Sequence, residues 1–318
     1  MIGDAALPPV HLWIYNHPLH GISDQIEFFF SVMRQNGYPV TGGRYPRDDA
    51  LNVVIENFSD ATAGVLMKYC RETGKRVSVI MTEHIDFIDQ EIYIHGDPLW
   101  SDNDYMHPAT QITRLRCLMD CACYIRSFLV LGDLPELRNI HMMLPETPVR
   151  TLPFPVLSRP ADETNWAALS ADFVFTGVIT RFRAEILERL MTKMTIRHPE
   201  GFLSRKARDN FSQTGRLVLN IPQRLDWKWL SLMRIIAALR CGRATVSLGT
   251  KDNSKIASCC VQIDVQTPDL LEQLSDLTAR PAEVFEKAFT DYHLMADAYL
   301  KTNAFPQDFF DYWAITEL

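Results

Sequence analysis

The feature that most restricts the fold of this chain is an alternation of short apolar runs with helical segments, which occurs twice. The first series has strand-like runs at 10–15, 51–58, 77–83 and 127–132, and helical segments at 24–37, 61–73 and 111–126. The second has strands at 172–177, 215–221, 244–248 and 260–264, and helices at 183–194, 227–240, 269–277 and 282–303. Strands separated by helices of about 10–15 residues predict βαβ units and a mainly parallel sheet in each series. We therefore predict the α/β class.

A proline-rich segment separates the two series. Residues 145–165 contain Pro145, Pro148, Pro153, Pro155 and Pro160 and carry little helix signal. Such segments are typical of domain boundaries, and 318 residues suffice for two domains of about 150 residues each. The sequence predicts domains at 1–155 and 156–318, and leaves open that the last helix packs back on the first domain.

Composition narrows the functional classes. Apolar residues make up 47% of the chain, which is ordinary for a globular protein, and the net charge of −7 argues against nucleic acid as a partner. No apolar run reaches the about 18 residues that would span a membrane, and residues 1–9 lack the basic and apolar parts of an export signal. The seven cysteines are an odd number, so we expect buried thiols rather than a disulfide framework. These features predict a cytoplasmic protein.

The segment after the strand at 172–177 has the composition of a phosphate site. The strand ends at Gly177, and the helix that follows begins near Thr180, Arg181 and Arg183. Free backbone N–H groups, a hydroxyl and two guanidiniums at a helix N-terminus bind phosphate well. Residues 181–208 also hold eight Lys or Arg against three Asp or Glu, a local basic excess in an acidic chain.

The segment 217–247 resembles the nucleotide-sugar domain of GT-B glycosyltransferases. It runs LVLNIPQR, then SLMRIIAALRCGRATVS from Ser231, and is similar to the family's helix pattern xRxxEALxxGxxxV. The stretch from Phe175 looks like the opening strand and helix of that domain in CgeB-like members, and the likeness covers about 150 residues. Arg234, Gly242, Asn220 and Gly177 match the family's motif positions.

The resemblance implies two Rossmann-like domains facing a cleft, with residues 1–155 for the acceptor and 156–318 for a nucleotide-diphosphate sugar. The expected donor-binding residues are Gly177, Thr180, Arg181, Arg183, Asn220, Arg234 and Gly242. Guanidiniums can stabilise the leaving diphosphate in place of a metal ion, so we expect no metal and no cofactor. The family's acidic residue falls on Ala237 here.

The resemblance also implies a catalytic base in the loop after the first strand, where this chain has His17 and His20. An imidazole can accept the proton of an attacking hydroxyl near neutral pH. We rank His20 first, because Gly21 would let the backbone turn, and we expect Asp86 or Glu83 to orient it.

The sequence thus predicts a glycosyltransferase that acts on a saccharide, lipid-linked or protein acceptor, with peripheral membrane association left open. Two alternatives remain. Ala237 is compatible with an inactive GT-B-like nucleotide-binding protein. The acidic segment 81–110 is compatible with a metal-dependent hydrolase that uses a cluster of His84, Asp86, His95, Asp97 and His107. In the same segment, Asp102–Asp104 resembles the metal-binding DxD motif of GT-A enzymes.

Overall fold

The computed structural model describes residues 7–102, 107–160, 164–249 and 252–318, without the side chain of His20. The chain divides into an N-terminal unit, formed by the residues up to Pro155 together with Tyr299–Leu318, and a C-terminal unit, Val156–Ala298. The elements before Pro155 are β1 (Val10–Trp13), α1 (Ser23–Gln35), β2 (Val40–Gly43), β3 (Leu51–Ile55), α2 (Asp60–Thr73), β4 (Val77–Ile80), β5 (Ile85–Ile88), β6 (Glu91–Ile94), β7 (Asp97–Pro98), α3 (Pro108–Asp120), β8 (Ile125–Leu131), β9 (Leu137–Arg138), α4 (Ile140–Met143) and β10 (Val149–Leu152). The remaining elements are β11 (Ala171–Val174), α5 (Arg181–Met191), β12 (Ile196–Arg197), α6 (Arg205–Ser212), β13 (Gly215–Asn220), α7 (Leu232–Arg240), β14 (Thr245–Leu248), β15 (Val261–Ile263), α8 (Leu270–Ala279), α9 (Pro281–Thr302) and α10 (Gln307–Glu317).

A parallel sheet forms the centre of the N-terminal unit, in the order β10-β8-β4-β3-β1-β2. Every residue of β1, β3 and β4 is buried, as expected for parallel strands that are covered on both faces. Trp13, Phe58 and Phe128 belong to one hydrophobic cluster with side chains of α2 and α3. The apolar runs of the sequence therefore mark the centre of the sheet.

The two long helices α1 and α2 differ in how they begin. Helix α2 starts with a capping box between Ser59 and Thr62, and ends at Gly74 with φ +71°, the left-handed geometry that glycine adopts readily. Helix α1 begins at Ser23, and the preceding Ile22 gives no side-chain cap.

A second, small sheet in the N-terminal unit was not predicted. Its order is β7-β6-β5-β9, and β5 pairs with β6 in antiparallel fashion across a turn with positive φ at Asp89 and Gln90. In the sequence this region stands out only as part of the acidic segment 81–110. The misreading has a physical reason: the hairpin is short and half-exposed, so its charged residues interrupt the apolar alternation of a strand.

The C-terminal helix α10 belongs to the N-terminal unit. Its Phe310 and Trp313 are fully buried. The Glu317 carboxylate accepts a hydrogen bond from the backbone N–H of Arg76 at 2.8 Å and lies 3.7 Å from the Arg126 guanidinium. The aromatic residues at the end of the sequence are thus core residues.

The C-terminal unit contains a second parallel sheet, in the order β12-β11-β13-β14-β15. The predicted α/β class is confirmed. Helix α7 is shorter than predicted: it starts at Leu232 rather than near Trp227, since the backbone N–H of Leu230 is bound by the Asp252 carboxylate in a loop. Helix α6 was not predicted. Among the helices described, none is both long and apolar enough to cross a membrane.

Candidate functional site

The carboxyl ends of β11, β13 and β14 lie side by side at one edge of the C-terminal sheet. This edge is where open parallel sheets bind ligands. Three predicted site residues come together there, because Gly177 follows β11, Asn220 ends β13 and Arg234 lies in the first turn of α7. Their contacts define the candidate site.

Gly177 lies against an aromatic ring. A Cβ atom at this position would come within 2.6 Å of Phe175 Cζ and 3.3 Å of Arg234 Nη2. The Phe175 ring is fully buried and stacks on His198, with 5.7 Å between the ring centroids. His198 Nε2 is also 3.0 Å from the carbonyl oxygen of Gly177. The turn after β11 therefore has room for glycine but not for a residue with a Cβ atom, and it contacts Phe175 and His198.

Arg234 is held by the ends of two strands. Its Nη1 donates a hydrogen bond of 2.6 Å to Asn220 Oδ1, and Asn220 Nδ2 donates one of 2.9 Å to Ser247 Oγ. The Arg234 guanidinium lies 5.8 Å from the centroid of the Phe175 ring. Because the side chain is half-buried and its direction is fixed by Asn220, it can present a positive charge to an anion without further ordering.

Helix α5 begins beside this arrangement. Thr180 is its N-cap: Oγ1 accepts from the backbone N–H of Arg183 at 3.4 Å and donates to the carbonyl oxygen of Gln223 at 3.1 Å. As at other helix starts, the remaining N–H groups of the first turn of α5 have no partner within the helix and favour an anion. Arg181 is well exposed and donates to Glu185 Oε1 on its own helix.

Arg183 has a different environment from the one that the sequence analysis assumes. It is 4% exposed, and its guanidinium donates to the carbonyl oxygens of Ile221 at 2.8 Å, Pro222 at 3.2 Å and Val178 at 2.8 Å. These bonds join the loop after β13 to the loop before α5. Arg183 thus joins the two loops, and its contact with the diphosphate stays a prediction.

Gly242 lies at the other edge of the C-terminal sheet. It follows the last turn of α7 with φ +73° and precedes β14, so it is at the amino end of the strand, whereas the candidate site is at the carboxyl ends. It ends the helix, and its part in donor binding stays a prediction. Ala237 is buried in the middle of α7.

The predicted base lies in the loop after β1, at the carboxyl edge of the N-terminal sheet. His17 Nδ1 is 2.8 Å from the carbonyl oxygen of Pro18, and the carbonyl oxygen of His17 accepts from Arg44. His20 lies in a short 3-10 helix, Leu19–Gly21, and its side chain is outside the described part of the structure. Asp86 is buried on β5, paired through its backbone with Tyr93.

A buried ionic network at the same edge of the N-terminal sheet was missed by the sequence analysis. Glu56 follows β3 and Glu83 follows β4. The Arg114 guanidinium of α3 joins them, with Nη2 2.6 Å from Glu56 Oε2 and Nη1 2.8 Å from Glu83 Oε1. His95 Nε2 contacts the other oxygen of Glu83. The signal was a carboxylate within three residues of the end of each of two buried strands.

The two carboxyl groups have pKa values that move in opposite directions. Burial, only partly offset by Arg114, raises the pKa of Glu56 above its ordinary value. For Glu83, the charge of Arg114 and the contact with His95 outweigh burial and hold its pKa well below the ordinary value. Two carboxyl groups whose pKa values are shifted in opposite directions are typical of functional sites, although structural ion pairs also produce such shifts.

The metal-cluster alternative is wrong for the residues that the structure describes. Across the described ranges, no three His, Cys, Asp or Glu side chains are grouped to hold a metal ion. His95 is directed to Glu83, and His84 Nδ1 accepts a hydrogen bond from the backbone N–H of Glu136 at 3.0 Å. Of the Asp102–Asp104 motif, residues 103 and 104 lie outside the described ranges.

Several solved glycosyltransferase structures are similar to this chain. An α-glucosyltransferase in complex with UDP and a 13-mer DNA containing an HMU base is 9% identical, with a TM-score of 0.51 over 96% of this chain and 100% of that one. A UDP-glucosyltransferase from Polygonum tinctorium is 10% identical, with a TM-score of 0.47 over 98% and 99% of the two chains. T4 phage BGT in complex with UDP-glucose is 10% identical, with a TM-score of 0.45 over 93% and 99%.

The first of these similarities exceeds a TM-score of 0.5, and at 9% identity it shows the fold alone. The chain has the GT-B glycosyltransferase fold, as its resemblance in sequence predicts. The sequence matches no protein-family model and no curated protein. The finer likeness to CgeB-like members stays a prediction.

Proposed function

We propose that this protein is a glycosyltransferase that transfers a sugar from a uridine diphosphate sugar to a hydroxyl-bearing acceptor. The observation that carries the proposal is the arrangement of Arg234, Asn220 and Gly177 beside the first turn of α5. It offers an oriented guanidinium and free N–H groups at one point, which suits a diphosphate. The fold supports this activity, and UDP is bound by the α-glucosyltransferase that shares the fold.

In the proposed reaction, the acceptor oxygen attacks the anomeric carbon of the sugar while the bond from that carbon to the diphosphate breaks. Negative charge develops on the leaving diphosphate, and Arg234 stabilises it electrostatically. Thr180 holds the first turn of α5 and Arg183 the two adjoining loops. We propose that these groups make a divalent cation unnecessary for the reaction.

For the acceptor, the proposal keeps the saccharide, lipid-linked and protein classes. The net charge of −7 disfavours nucleic acid, which would be repelled except at a local basic patch. Peripheral membrane association remains a proposal that depends on a lipid-linked acceptor.

The test is calorimetric titration of UDP in EDTA. Arg234→Ala should weaken binding by about 1.5–3 kcal/mol, the range for a hydrogen bond to a charged group. The matched control is Arg280→Ala, which removes the same charge from an exposed residue that pairs with Asp276 and should bind UDP normally. Equal affinity of the wild type and Arg234→Ala would refute the donor site.

Turnover of UDP-glucose separates the remaining alternatives. Release of UDP in EDTA is the expected result, whereas activity that requires manganese would overturn metal independence. UDP binding without any turnover would favour an inactive nucleotide-binding protein, the alternative that Ala237 suggested.

A further inference from the structure

The turn after β11, residues 175–180, has two consecutive carbonyl groups that are each held by a side chain. His198 Nε2 lies 3.0 Å from the carbonyl oxygen of Gly177, and Arg183 Nη1 donates to the carbonyl oxygen of Val178 at 2.8 Å. Because a carbonyl oxygen can only accept a hydrogen bond, the His198 contact means that Nε2 carries a proton. Two side chains thus fix the orientation of two neighbouring peptide groups.

The same two bonds fix the directions of N–H groups in the turn. Its peptide bonds are trans, and in a trans peptide group the N–H points in the direction opposite to the C=O. The N–H of Val178 therefore points away from His198, and the N–H of Ile179 points away from Arg183. Val178 is 55% exposed and Ile179 is 43% exposed, so this stretch of the turn lies at the surface, where a ligand can reach it.

Gly177 makes the first of these peptide groups easy to rotate. Glycine has no Cβ and tolerates a wider range of backbone angles than other residues. The close approach of Phe175 excludes a residue with a Cβ at this position, so a larger residue cannot restrict the backbone here. The orientation of the peptide group between Gly177 and Val178 therefore depends on the hydrogen bond from His198.

The imidazole of His198 is itself held in place. His198 directly follows β12, and its ring stacks on the fully buried ring of Phe175, with an angle of 24° between the ring planes. The Arg234 guanidinium lies 5.8 Å from the centroid of the same ring. Phe175 thus supports both the side chain that orients the turn and the cation of the candidate donor site.

We propose that His198 is a positioning residue of the donor site: it holds the carbonyl oxygen of Gly177, so that the N–H of Val178 is directed at a diphosphate anion. Successive backbone N–H groups on one side of a turn form an anion-binding concavity. Arg234 Nη2 lies 3.3 Å from the point that a Cβ of Gly177 would occupy, so its charge is close to this turn. That the diphosphate belongs to a UDP-sugar rests on the proposed function; the role of His198 toward a diphosphate does not.

The test compares two substitutions of His198. His198→Phe keeps a ring that can stack on Phe175 but removes the N–H donor, whereas the side-chain amide introduced by His198→Gln can still donate to the Gly177 carbonyl oxygen. Binding of UDP and of inorganic pyrophosphate to the full chain is measured by calorimetry in EDTA. We expect His198→Phe to bind both about fivefold more weakly, as for the loss of one net hydrogen bond. His198→Gln should stay within about twofold of the wild type.

The recovery of affinity in His198→Gln separates positioning from a merely structural role. Glutamine restores the donor but not the stacked ring, so a loss of packing would weaken binding in His198→Gln at least as much as in His198→Phe. Because His198 is exposed, both variants should keep the wild-type Tm. His141→Phe is the matched control, since His141 is an exposed histidine of α4 in the other unit. It should change neither the Tm nor either affinity.

Three results would overturn the role of His198: wild-type pyrophosphate affinity in His198→Phe, equal weakening in the two variants, or no binding of pyrophosphate by the wild type. The two ligands keep this inference apart from the proposed function. If the wild type bound pyrophosphate but not UDP, and His198→Phe bound pyrophosphate more weakly, the uridine donor would be refuted and the role of His198 would stand. If the wild type and His198→Phe bound both ligands equally well, the role of His198 alone would be refuted.

Discussion

Gly177 and Arg234 are neighbours in the candidate donor site although 57 positions separate them in the sequence. The close approach of Phe175 leaves no space for a Cβ atom at Gly177, and Arg234 Nη2 passes over the same point. A glycine at the end of β11 therefore allows the guanidinium to reach the backbone of the turn. The N–H groups of the first turn of α5 and the positive charge of Arg234 can then meet one anion.

The general base, which takes the proton of the attacking hydroxyl, is also a single residue. His20→Ala should lower kcat for sugar transfer by about 10² or more, since general-base assistance is worth about 10²–10⁴ in rate. UDP affinity should stay within a factor of about three, because a base acts on the attacking hydroxyl. The comparison variant is His17→Ala, whose imidazole contacts the carbonyl oxygen of Pro18. A wild-type kcat in both variants would show that neither His20 nor His17 is the general base.

The hairpin of β5 and β6 follows Glu83 directly, so this carboxylate connects the small sheet to α3 through Arg114 and to the end of the hairpin through His95. Removing one partner of such a buried ion pair strongly destabilises the folded state. The attachment of this hairpin to the main sheet thus depends on the charge of Glu83.

This dependence predicts how stability changes with pH. The pKa of Glu83 is lowered in the folded state, so its contribution is present above the ordinary pKa near 4.5 and is lost as the pH falls below it. Glu83→Gln should lower the free energy of unfolding at pH 7 by about 3–5 kcal/mol and should flatten the loss of stability below pH 4.5. Urea unfolding at a series of pH values measures both.

Glu91→Gln is the control for that experiment, because Glu91 is exposed on the same hairpin and its carboxylate accepts a hydrogen bond from Tyr93. It should unfold like the wild type at every pH. The effect of Glu56 on stability has the opposite dependence on pH, because its pKa is raised in the folded state. Its contribution is present at acidic pH and is lost as the pH rises through the folded-state pKa. If Glu83→Gln left the loss of stability below pH 4.5 unchanged, the assignment of that loss to Glu83 would be contradicted.

The N-terminal unit is assembled from two distant parts of the chain, because its last 20 residues follow the whole C-terminal unit. Helix α10 supplies two fully buried aromatic side chains, Phe310 and Trp313, to this unit. Trp313 Nε1 also donates to Glu317 Oε2 at 2.9 Å, and that carboxylate binds the backbone of Arg76. We therefore expect α10 to contribute to the stability of the N-terminal unit.

Trp313→Ala should cost about 3–5 kcal/mol of stability, the range for truncation of a buried aromatic residue. The control is Ile315→Ala on the same helix, where the side chain is 83% exposed and the change should stay within about 0.5 kcal/mol. Chemical unfolding followed by far-UV circular dichroism compares them. Equal stability of the two variants would show that α10 contributes little to the N-terminal unit.

The sequence was most informative where a residue's role depends on its neighbours in the chain. Gly74 ends α2 and Thr180 caps α5, because capping involves residues within about one helical turn. The buried strands were predictable because a parallel strand that is covered on both faces is apolar throughout. The α/β class followed from the order of these elements.

The tertiary structure decided the small sheet, the surroundings of Arg183 and Gly242, and the contacts of Glu56. Each depends on which side chains or chain segments meet across the fold, and local pattern carries no information about that. An arginine near a helix start reads as a phosphate ligand, yet Arg183 turns inward because the carbonyls of Ile221 and Pro222 need donors. The sequence by itself determined the elements and their class, since hydrophobic periodicity is local; packing decided which polar groups were left available to bind a ligand.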